Sequence, residues 1–282
     1  MSYDLAFAPR SRKRITAKVL AEHFSQFEQF EVLERSANYF NEDTGVYFTF
    51  ELPGAKKRET AFTLNYCRPH TFALEAAAQL QAVVQQFDLQ VDDPQTDGMG
   101  QGEFSLEGFF RGYNAGNRMA CKAVSGEQEE APLALPAAQI EGVWRWNLGR
   151  QQLQQKLGDE VFVPKISYVL TQQGLMTTAV WPDAIAVMLP LVDLVLIGRE
   201  ALAPPRGRKP GEPDLTIATW DRLQRVLGRY PMGQEPMMHH RLLWDTPPLD
   251  AADLIRSLES VPVEDHLEMV DPDSVLDAEL LS

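Results

Sequence analysis

Apolar and polar residues alternate strictly at the start of the chain. The alternation between Tyr3 and Phe7 predicts a β-strand over residues 2–8. Beyond this strand the apolar residues recur at helical spacing, and Thr16 is a suitable N-cap for a helix that continues to about Phe30. The chain is therefore expected to open with a strand followed by a helix.

The next three segments return to a two-residue period. Residues 31–40 and 46–52 have the pattern of two hairpin arms, and the turn-forming residues 41–45 end in a glycine that can adopt positive φ. Residues 60–67 are a further strand candidate with the same alternation. Three neighbouring strands are predicted.

The segment 72–87 carries apolar residues at helical spacing in a context rich in Ala and Gln, and it predicts a helix. Residues 89–91 then predict a short strand. The resulting order β-α-β-β-β-α-β indicates an α+β fold in which the helices cover one face of a largely antiparallel sheet.

The rest of the chain predicts a second α+β half. An acidic, proline-containing stretch at 125–136 suggests a linker, which divides the chain into an N-terminal unit of residues 1–124, a second unit of residues 137–258 and an acidic tail of residues 259–282. One continuous domain spanning the first two units is the alternative. The elements predicted here are helices at 105–124, 148–157, 216–230 and 250–258, and strands at 161–170, 175–181, 184–189 and 191–197.

The net charge limits the kinds of molecule that this chain is expected to bind. The 282-residue chain carries a formal net charge of −14 at pH 7, and an acidic chain repels phosphate groups and anionic lipid while it attracts basic protein surfaces. The basic clusters at 10–14 and 56–58 are short, so we interpret them as solvated surface. Without a signal-peptide pattern or a long apolar run, we expect a cytoplasmic protein with no direct nucleic-acid or membrane partner.

Two sequence features have the residue types of a binding site but lack its spacing. The glycine-rich segment 97–102 follows acidic residues and is not followed by a Lys-Ser/Thr pair, which favours a loop over a phosphate site. The adjacent His239 and His240 point in different directions on a strand or a helix, which disfavours a metal site. No cofactor and no metal are predicted.

The cysteines and tryptophans have ordinary structural interpretations beside the functional ones. Cys67 has His70 three residues away, but no protease signature surrounds it. One disulfide between Cys67 and Cys121 is conceivable, but two cysteines in a chain of this size are no disulfide framework, and we interpret both as buried thiols. Trp144 and Trp146 are either interface anchors or core residues, and on a strand they would share one face. No catalytic residue is assigned.

The last twenty-six residues contain no Lys or Arg. An acidic terminus can remain disordered and serve solubility, but apolar residues are interleaved with the acids here, so docking on the protein's own body or on a partner is the alternative. A basic partner surface would then meet its carboxylates. The candidate partner-binding residues are Glu264, Asp265, Glu268, Asp271, Asp273, Asp277 and Glu279.

Two N-terminal stretches carry a family resemblance. The opening 1–7 (MSYDLAF) and the segment 39–50 (YFNEDTGVYFTF) together resemble a group of bacterial proteins, prominent in myxobacteria and other proteobacteria, that look like immunity partners of polymorphic or contact-delivered toxins. The similarity covers about the first fifth of the chain and transfers no functional residue. It implies a non-enzymatic protein that binds a toxin of the same cell, for example a nuclease with a basic surface, and occludes its active site.

Two other functions are consistent with the sequence. An adaptor or chaperone that loads an effector onto a secretion machine would also be acidic and non-enzymatic, but it would leave the toxin active. An enzyme whose site is assembled from scattered carboxylates and aromatic residues would show a deep pocket with perturbed titrations.

Overall fold

The chain forms two compact units. The computed structural model describes residues 1–11, 15–54, 59–127, 131–202, 214–233, 239–244, 249–261 and 266–281. Unit 1 comprises Met1–Ile140 together with Asp273–Ser282, and unit 2 comprises Glu141–Pro272. The helices are α1 (Ala17–Phe24), α2 (Thr71–Phe87), α3 (Leu106–Glu127), α4 (Ala137–Leu157), α5 (Trp220–Leu227) and α6 (Leu249–Ser257).

Seventeen strands lie in the described ranges of the chain. They are β1 (Ser2–Pro9), β2 (Phe30–Val32), β3 (Ser36–Phe40), β4 (Tyr47–Glu51), β5 (Thr60–Asn65), β6 (Leu89–Asp93), β7 (Gly100–Gly102), β8 (Ala134–Leu135), β9 (Ile166–Thr171), β10 (Gly174–Pro182), β11 (Val187–Pro190), β12 (Leu194–Gly198), β13 (Leu215–Thr219), β14 (Met232–Gly233), β15 (His240–Leu243), β16 (Glu268–Val270) and β17 (Leu276–Asp277).

Unit 1 is built on a seven-stranded sheet with the order β2-β3-β4-β5-β1-β6-β7. Every neighbouring pair is antiparallel. This confirms the predicted α+β class with a large antiparallel sheet. The first strand lies between β5 and β6, and its apolar side chains Tyr3, Leu5 and Phe7 are buried.

The three helices α1, α2 and α3 pack against one face of this sheet. That face carries the buried aromatic and aliphatic side chains of the strands, at alternate positions along each strand. The contacts that place the helices are Phe24–Phe50 for α1 (ring centroids 4.9 Å), Tyr39–Glu75 for α2 (hydrogen bond of 2.7 Å) and Phe62–Phe109 for α3 (ring centroids 6.3 Å). These three helices do not cover the opposite face of the sheet.

Helix α3 contains glycines that weaken its helical propensity but allow close packing. A Cβ at Gly112 would lie 2.6 Å from the Tyr3 hydroxyl oxygen, and a Cβ at Gly116 would overlap the Tyr66 ring. The aromatic side chains of Tyr3 and Tyr66 thus occupy the space that a larger residue would need. The helix forms in spite of its glycines because they let its backbone approach the sheet.

The end of the chain completes unit 1. Strand β17 pairs in parallel with β8, and Leu276 and Leu280 pack with Cys121 of α3 in one hydrophobic cluster. The predicted acidic tail 259–282 is therefore shared between the units, because residues up to Pro272 belong to unit 2.

Unit 2 holds a five-stranded sheet with the order β13-β12-β10-β9-β16 and a three-stranded sheet with the order β11-β15-β14. Strands β10 and β12 are parallel, and the other pairs are antiparallel. Every residue of β11 is buried, and so are the first four of β12, as expected of continuous apolar runs.

A buried ion pair joins two segments of unit 2. Arg199 Nε lies 2.7 Å from Asp214 Oδ1, and the same guanidinium donates to the backbone carbonyls of Ile255 and Leu258 at the end of α6. The charged groups of Arg199 and Asp214 are nearly inaccessible to solvent. The carbonyls supply the additional hydrogen bonds that a buried guanidinium requires.

Several predicted elements differ from the structure. Helix α1 ends at Phe24 and not near Phe30, because Phe30 already pairs with Tyr39 in the sheet. Segment 31–40 is two strands, β2 and β3, so four strands separate α1 from α2. The residues 215–219 form β13 and not the start of a helix, because they pair with β12. Helix α5 begins only after Thr219, whose hydroxyl accepts a hydrogen bond from Arg222 N. Trp144 and Trp146 lie on a helix, α4.

Among the described helices, none has both the length and the apolar character needed to cross a bilayer.

Candidate functional site

The helix-free face of the seven-stranded sheet is an accessible surface. We call it the open face and define it by two rows of directly opposed residues, since opposed residues of antiparallel strands point to the same side. The first row is Glu31, Asn38, Thr49, Thr63 and Asp4. The second row is Ser36, Glu51, Ala61, Ala6, Asp92 and Gln101. Each of these side chains is exposed or half-buried.

The open face carries negative charge. Glu31, Asp4, Glu51 and Asp92 are all exposed, and neither row contains Lys or Arg. The residues between the carboxylates are uncharged: Asn38, Thr49 and Thr63 in the first row, Ala61 and Ala6 in the second. The charge of such a surface is complementary to that of a basic protein surface.

Hydrogen bonds fix some of these carboxylates in place. Asp4 accepts from the hydroxyls of Ser2 and Thr63, each at 2.8 Å. Gln101 Nε2 donates to Asp92 at 3.2 Å. Asp4 and Asp92 are therefore held by their neighbours within the sheet and need not be ordered entirely on binding.

A shallow cavity of about 290 Å³ lies on the open face where β1 meets β6. Small side chains of β1, Ala6 and Ala8, contribute to its lining. Asp92 and the exposed Glu59 contribute the carboxylates. This combination suits a long basic side chain, whose aliphatic stem would lie on the alanines while its charged end reaches the carboxylates.

An aromatic residue stands at the border of the open face. Phe40 is 52% exposed and lies directly opposite Tyr47 across the β3–β4 pair. The Tyr47 hydroxyl accepts from Arg68 Nη2 at 2.6 Å and donates to Asp273 at 3.2 Å. These hydrogen bonds hold the Tyr47 side chain in place. Phe40 is a large apolar side chain that is available for contact with another molecule.

The predicted partner-binding carboxylates of the tail do not form one group. Asp277 is buried and accepts from His70, and Asp273 lies 3.4 Å from the Arg68 guanidinium. Glu279 accepts from the backbone N–H of Ala137 at 3.0 Å, at the start of α4. These three therefore bind the protein's own body.

The remaining tail candidates have different positions. Glu268 lies on the edge strand β16 of unit 2, and Asp271 follows it, and both side chains are exposed. Glu264 and Asp265 lie outside the described residues. So do the basic segments 12–14 and 56–58.

The glycine-rich segment 97–102 surrounds a carboxylate of the protein itself. Asp93 is buried and accepts hydrogen bonds from the Tyr3 hydroxyl at 2.5 Å, from Met99 N at 2.8 Å and from Gln95 N at 3.1 Å. Backbone donors that a phosphate would need are thus used by Asp93. Burial and this carboxylate both raise the pKa of the Tyr3 hydroxyl, which keeps it a donor.

The histidine pair and the tryptophans have structural positions. His240 is buried with its ring 5.8 Å from Trp146, whereas the neighbouring His239 is exposed. Trp146 is fully buried, and its indole N–H donates to Pro164 O at 2.8 Å. No cluster of three or more His, Cys, Asp or Glu side chains suited to a metal ion occurs within the described ranges.

The open face was not identified from the sequence as a site. The alternation in β1 and β4 does assign Asp4 and Glu51 to the side opposite the core. It does not show that these residues stand in neighbouring rows, because the register between distant strands depends on the tertiary fold. The acidic tail was the more conspicuous candidate for a binding site in the sequence, but three of its carboxylates contact other residues of the protein itself.

Comparisons of the chain with protein-family models, with curated proteins and with solved structures find no match.

Proposed function

We propose that this chain is an immunity protein that binds a cognate toxin and neutralises it by occlusion. The observation that carries the proposal is the open face, a sheet surface with four exposed carboxylates and no Lys or Arg in its two rows. The N-terminal resemblance to immunity-like proteins points to the same class of function.

Electrostatics supports a basic toxin as the partner. The chain carries a formal net charge of −14, so its long-range field attracts a cation-rich surface before contact is made. On contact, the carboxylates of the open face would pair with Lys and Arg of the partner. Nuclease toxins offer such a surface, since they must bind phosphate groups.

Affinity requires apolar contact in addition to charge. Phe40 provides a large exposed side chain at the border of the open face, and the cavity beside Ala6 accepts a protruding side chain. Buried aromatic contacts dominate the energy of many interfaces, whereas charges at the rim act mainly on association rate and specificity. We therefore assign Phe40 the role of anchor and the carboxylates the role of steering and pairing.

The proposed mechanism needs no chemistry by this chain. A bound partner would have its basic, substrate-binding surface covered by the open face, so its substrate could not enter. Neutralisation would then follow from binding alone, with the toxin chemically unchanged and active again after dissociation.

A growth-rescue experiment tests the proposal. The protein encoded by the neighbouring gene is expressed in a sensitive bacterial host, with and without this chain. The expected result is toxicity that disappears when the chain is present. Toxicity that persists in spite of a stable complex would favour an effector-loading adaptor, and no toxicity together with no complex would overturn the proposal.

Charge-reversal variants locate the surface in the same experiment. The triple variant Asp4→Lys, Glu51→Lys, Asp92→Lys is expected to lose rescue. The matched control reverses three exposed carboxylates outside the rows of the open face, Glu28→Lys, Asp97→Lys and Glu160→Lys, and should retain it. Phe40→Ala should weaken rescue without any change of charge. Equal behaviour of the two triple variants would exclude the open face as the binding surface.

A further inference from the structure

The only two cysteines of the chain are neighbours in unit 1. Cys67 follows β5 and is partly exposed, whereas Cys121 lies on α3 and is fully buried. Both pack in the hydrophobic cluster that contains Leu276 and Leu280. The two thiols therefore come together through the fold, although 53 residues separate them in the sequence.

Asn117 holds the two cysteines in a fixed arrangement. Its side-chain oxygen accepts a hydrogen bond from Cys67 N at 2.7 Å and lies 3.8 Å from the Cys121 sulfur atom, which donates to it. Its amide nitrogen donates to Arg68 O at 2.8 Å.

The backbone at Cys67 is unusual for a residue with a side chain. Its φ is +56°, in the left-handed region that favours glycine. Residues in this region cost free energy and persist only where their surroundings hold them. Here Asn117 accepts a hydrogen bond from Cys67 N and donates one to Arg68 O. This conformation turns the chain at Cys67 and places its side chain in the cluster with Cys121.

We propose that Cys67 and Cys121 are an oxidative modification site that closes to an intramolecular disulfide when the protein meets a small-molecule disulfide. The proposal does not rest on the toxin-binding function. Its basis is the packing of both cysteines in one hydrophobic cluster, their shared contact with Asn117 and the difference in burial between the two residues.

The reaction proceeds by two thiol–disulfide exchanges. Cys67, the accessible thiol, loses its proton to solvent and attacks one sulfur of the oxidant, which releases one small thiol and leaves a mixed disulfide. Cys121 then attacks the Cys67 sulfur and gives its proton to the departing small thiolate, so the mixed disulfide bond breaks, the internal S–S bond forms and the second small thiol is released. The protein loses two hydrogen atoms and two electrons, and one oxidant disulfide is reduced to two thiols.

The order of attack follows from the surroundings of the two sulfur atoms. Burial, with additional contributions from Cys67 and Asp277, raises the pKa of Cys121 to about 12. Cys121 is therefore protonated and inaccessible until Cys67 presents a sulfur atom beside it. This makes Cys67 the attacking residue and Cys121 the resolving residue.

The test uses the full-length, folded protein and oxidised glutathione. Intact-mass spectrometry is expected to show a product two hydrogen atoms lighter than the starting protein, and a non-reducing peptide map should join Cys67 to Cys121. Incubation with dithiothreitol should restore the starting mass. A wild-type protein that stops at a stable glutathione adduct, forms only linked dimers or does not react would overturn the proposal.

Single variants separate the two roles. Cys121→Ser is expected to accumulate the glutathione adduct on Cys67, whereas Cys67→Ser should remain unmodified while folded. Cys121→Ala provides a second resolving-residue variant in case a buried hydroxyl prevents folding, and circular dichroism checks each protein. An adduct on Cys121 in folded Cys67→Ser would contradict the assigned order.

Discussion

Asp277 binds His70 twice. Its carboxylate accepts from the backbone N–H of His70 at 2.8 Å, and its second oxygen lies 2.7 Å from His70 Nδ1. The side chain of Asp277 is 3% exposed. The two residues are far apart in sequence, so this contact fastens strand β17 to the turn that precedes α2.

We expect Asp277→Ala to lower the free energy of unfolding by about 3 kcal/mol. The change removes the acceptor of a backbone N–H and a buried, hydrogen-bonded charge. Chemical denaturation followed by far-UV circular dichroism measures the effect. The control Asp271→Ala changes an exposed carboxylate six residues away and should shift stability by less than about 0.5 kcal/mol.

Fluorescence distinguishes this effect from one on unit 2. All five tryptophans lie in unit 2, so their emission follows that unit only. A loss of stability that appears in the tryptophan signal but leaves the secondary structure of unit 1 unchanged would contradict the role assigned to Asp277.

Removal of the buried guanidinium of Arg199 should destabilise unit 2. Arg199→Met takes the cation away from the buried carboxylate of Asp214 and takes a donor away from the carbonyls at the end of α6. The expected loss is about 3–5 kcal/mol, measured by urea denaturation with tryptophan fluorescence. The exposed Arg222→Met is the control, and equal stability of the two variants would refute the prediction.

Tyr113 should make the protein sensitive to alkaline pH. Burial, followed by the influence of Cys121, raises the pKa of its hydroxyl well above 10, and the hydroxyl donates to Asn65 O at 3.1 Å. At neutral pH, Tyr113→Phe should cost about 1 kcal/mol of stability through this lost hydrogen bond. Above pH 10 the unfolded wild type loses the proton that the folded state keeps, so wild-type stability falls with rising pH.

The variant lacks this alkaline penalty. The difference in free energy of unfolding between the wild type and Tyr113→Phe should therefore shrink above about pH 10, by about 1.4 kcal/mol per pH unit. At higher pH the variant becomes the more stable protein. Urea denaturation at about pH 8, 10 and 11 measures the difference. A deficit that stays constant over this pH range would show that Tyr113 ionises equally in both states.

The carboxylates of the open face should control the association rate with a basic partner. Neutralising three of them (Asp4→Asn, Glu51→Gln and Asp92→Asn) is expected to reduce the association rate constant about tenfold at low salt and to flatten its dependence on ionic strength. Surface plasmon resonance over a range of salt concentrations measures both. Neutralising Glu28, Asp97 and Glu160 instead is the control of equal charge, and equal rates for the two variants would argue against steering by the open face.

Local patterns predicted most of unit 1. Alternation around Phe7 and Phe48 identified strands and their buried faces, and the α2 segment has the apolar spacing of a helix. The pattern gave a wrong prediction at 215–219, where a helix was expected because Ile217 has helical spacing to the apolar residues that follow it. Pairing with β12 makes this segment a strand instead, which is a tertiary effect.

The candidate sites could be recognised only from the three-dimensional fold. Nothing in the sequence indicates that Cys67 meets Cys121 or that Asp277 meets His70, because each pair is brought together by strand order and helix packing. The acidic tail is another case in which the sequence alone was insufficient. Its acids suggested a binding partner, whereas Leu276, Leu280 and three of its carboxylates contact unit 1.

The interrupted arrangement of unit 1 has a consequence for biosynthesis. Unit 2 is encoded between its two pieces, so the ribosome completes all of Glu141–Pro272 before it releases the segment that contains β17. Until then β8 lacks its parallel neighbour, and the buried thiol of Cys121 lacks the covering leucines. The first 140 residues of unit 1 are thus exposed on the nascent chain without β17 until synthesis is complete, and Cys121 is uncovered by these leucines over that period.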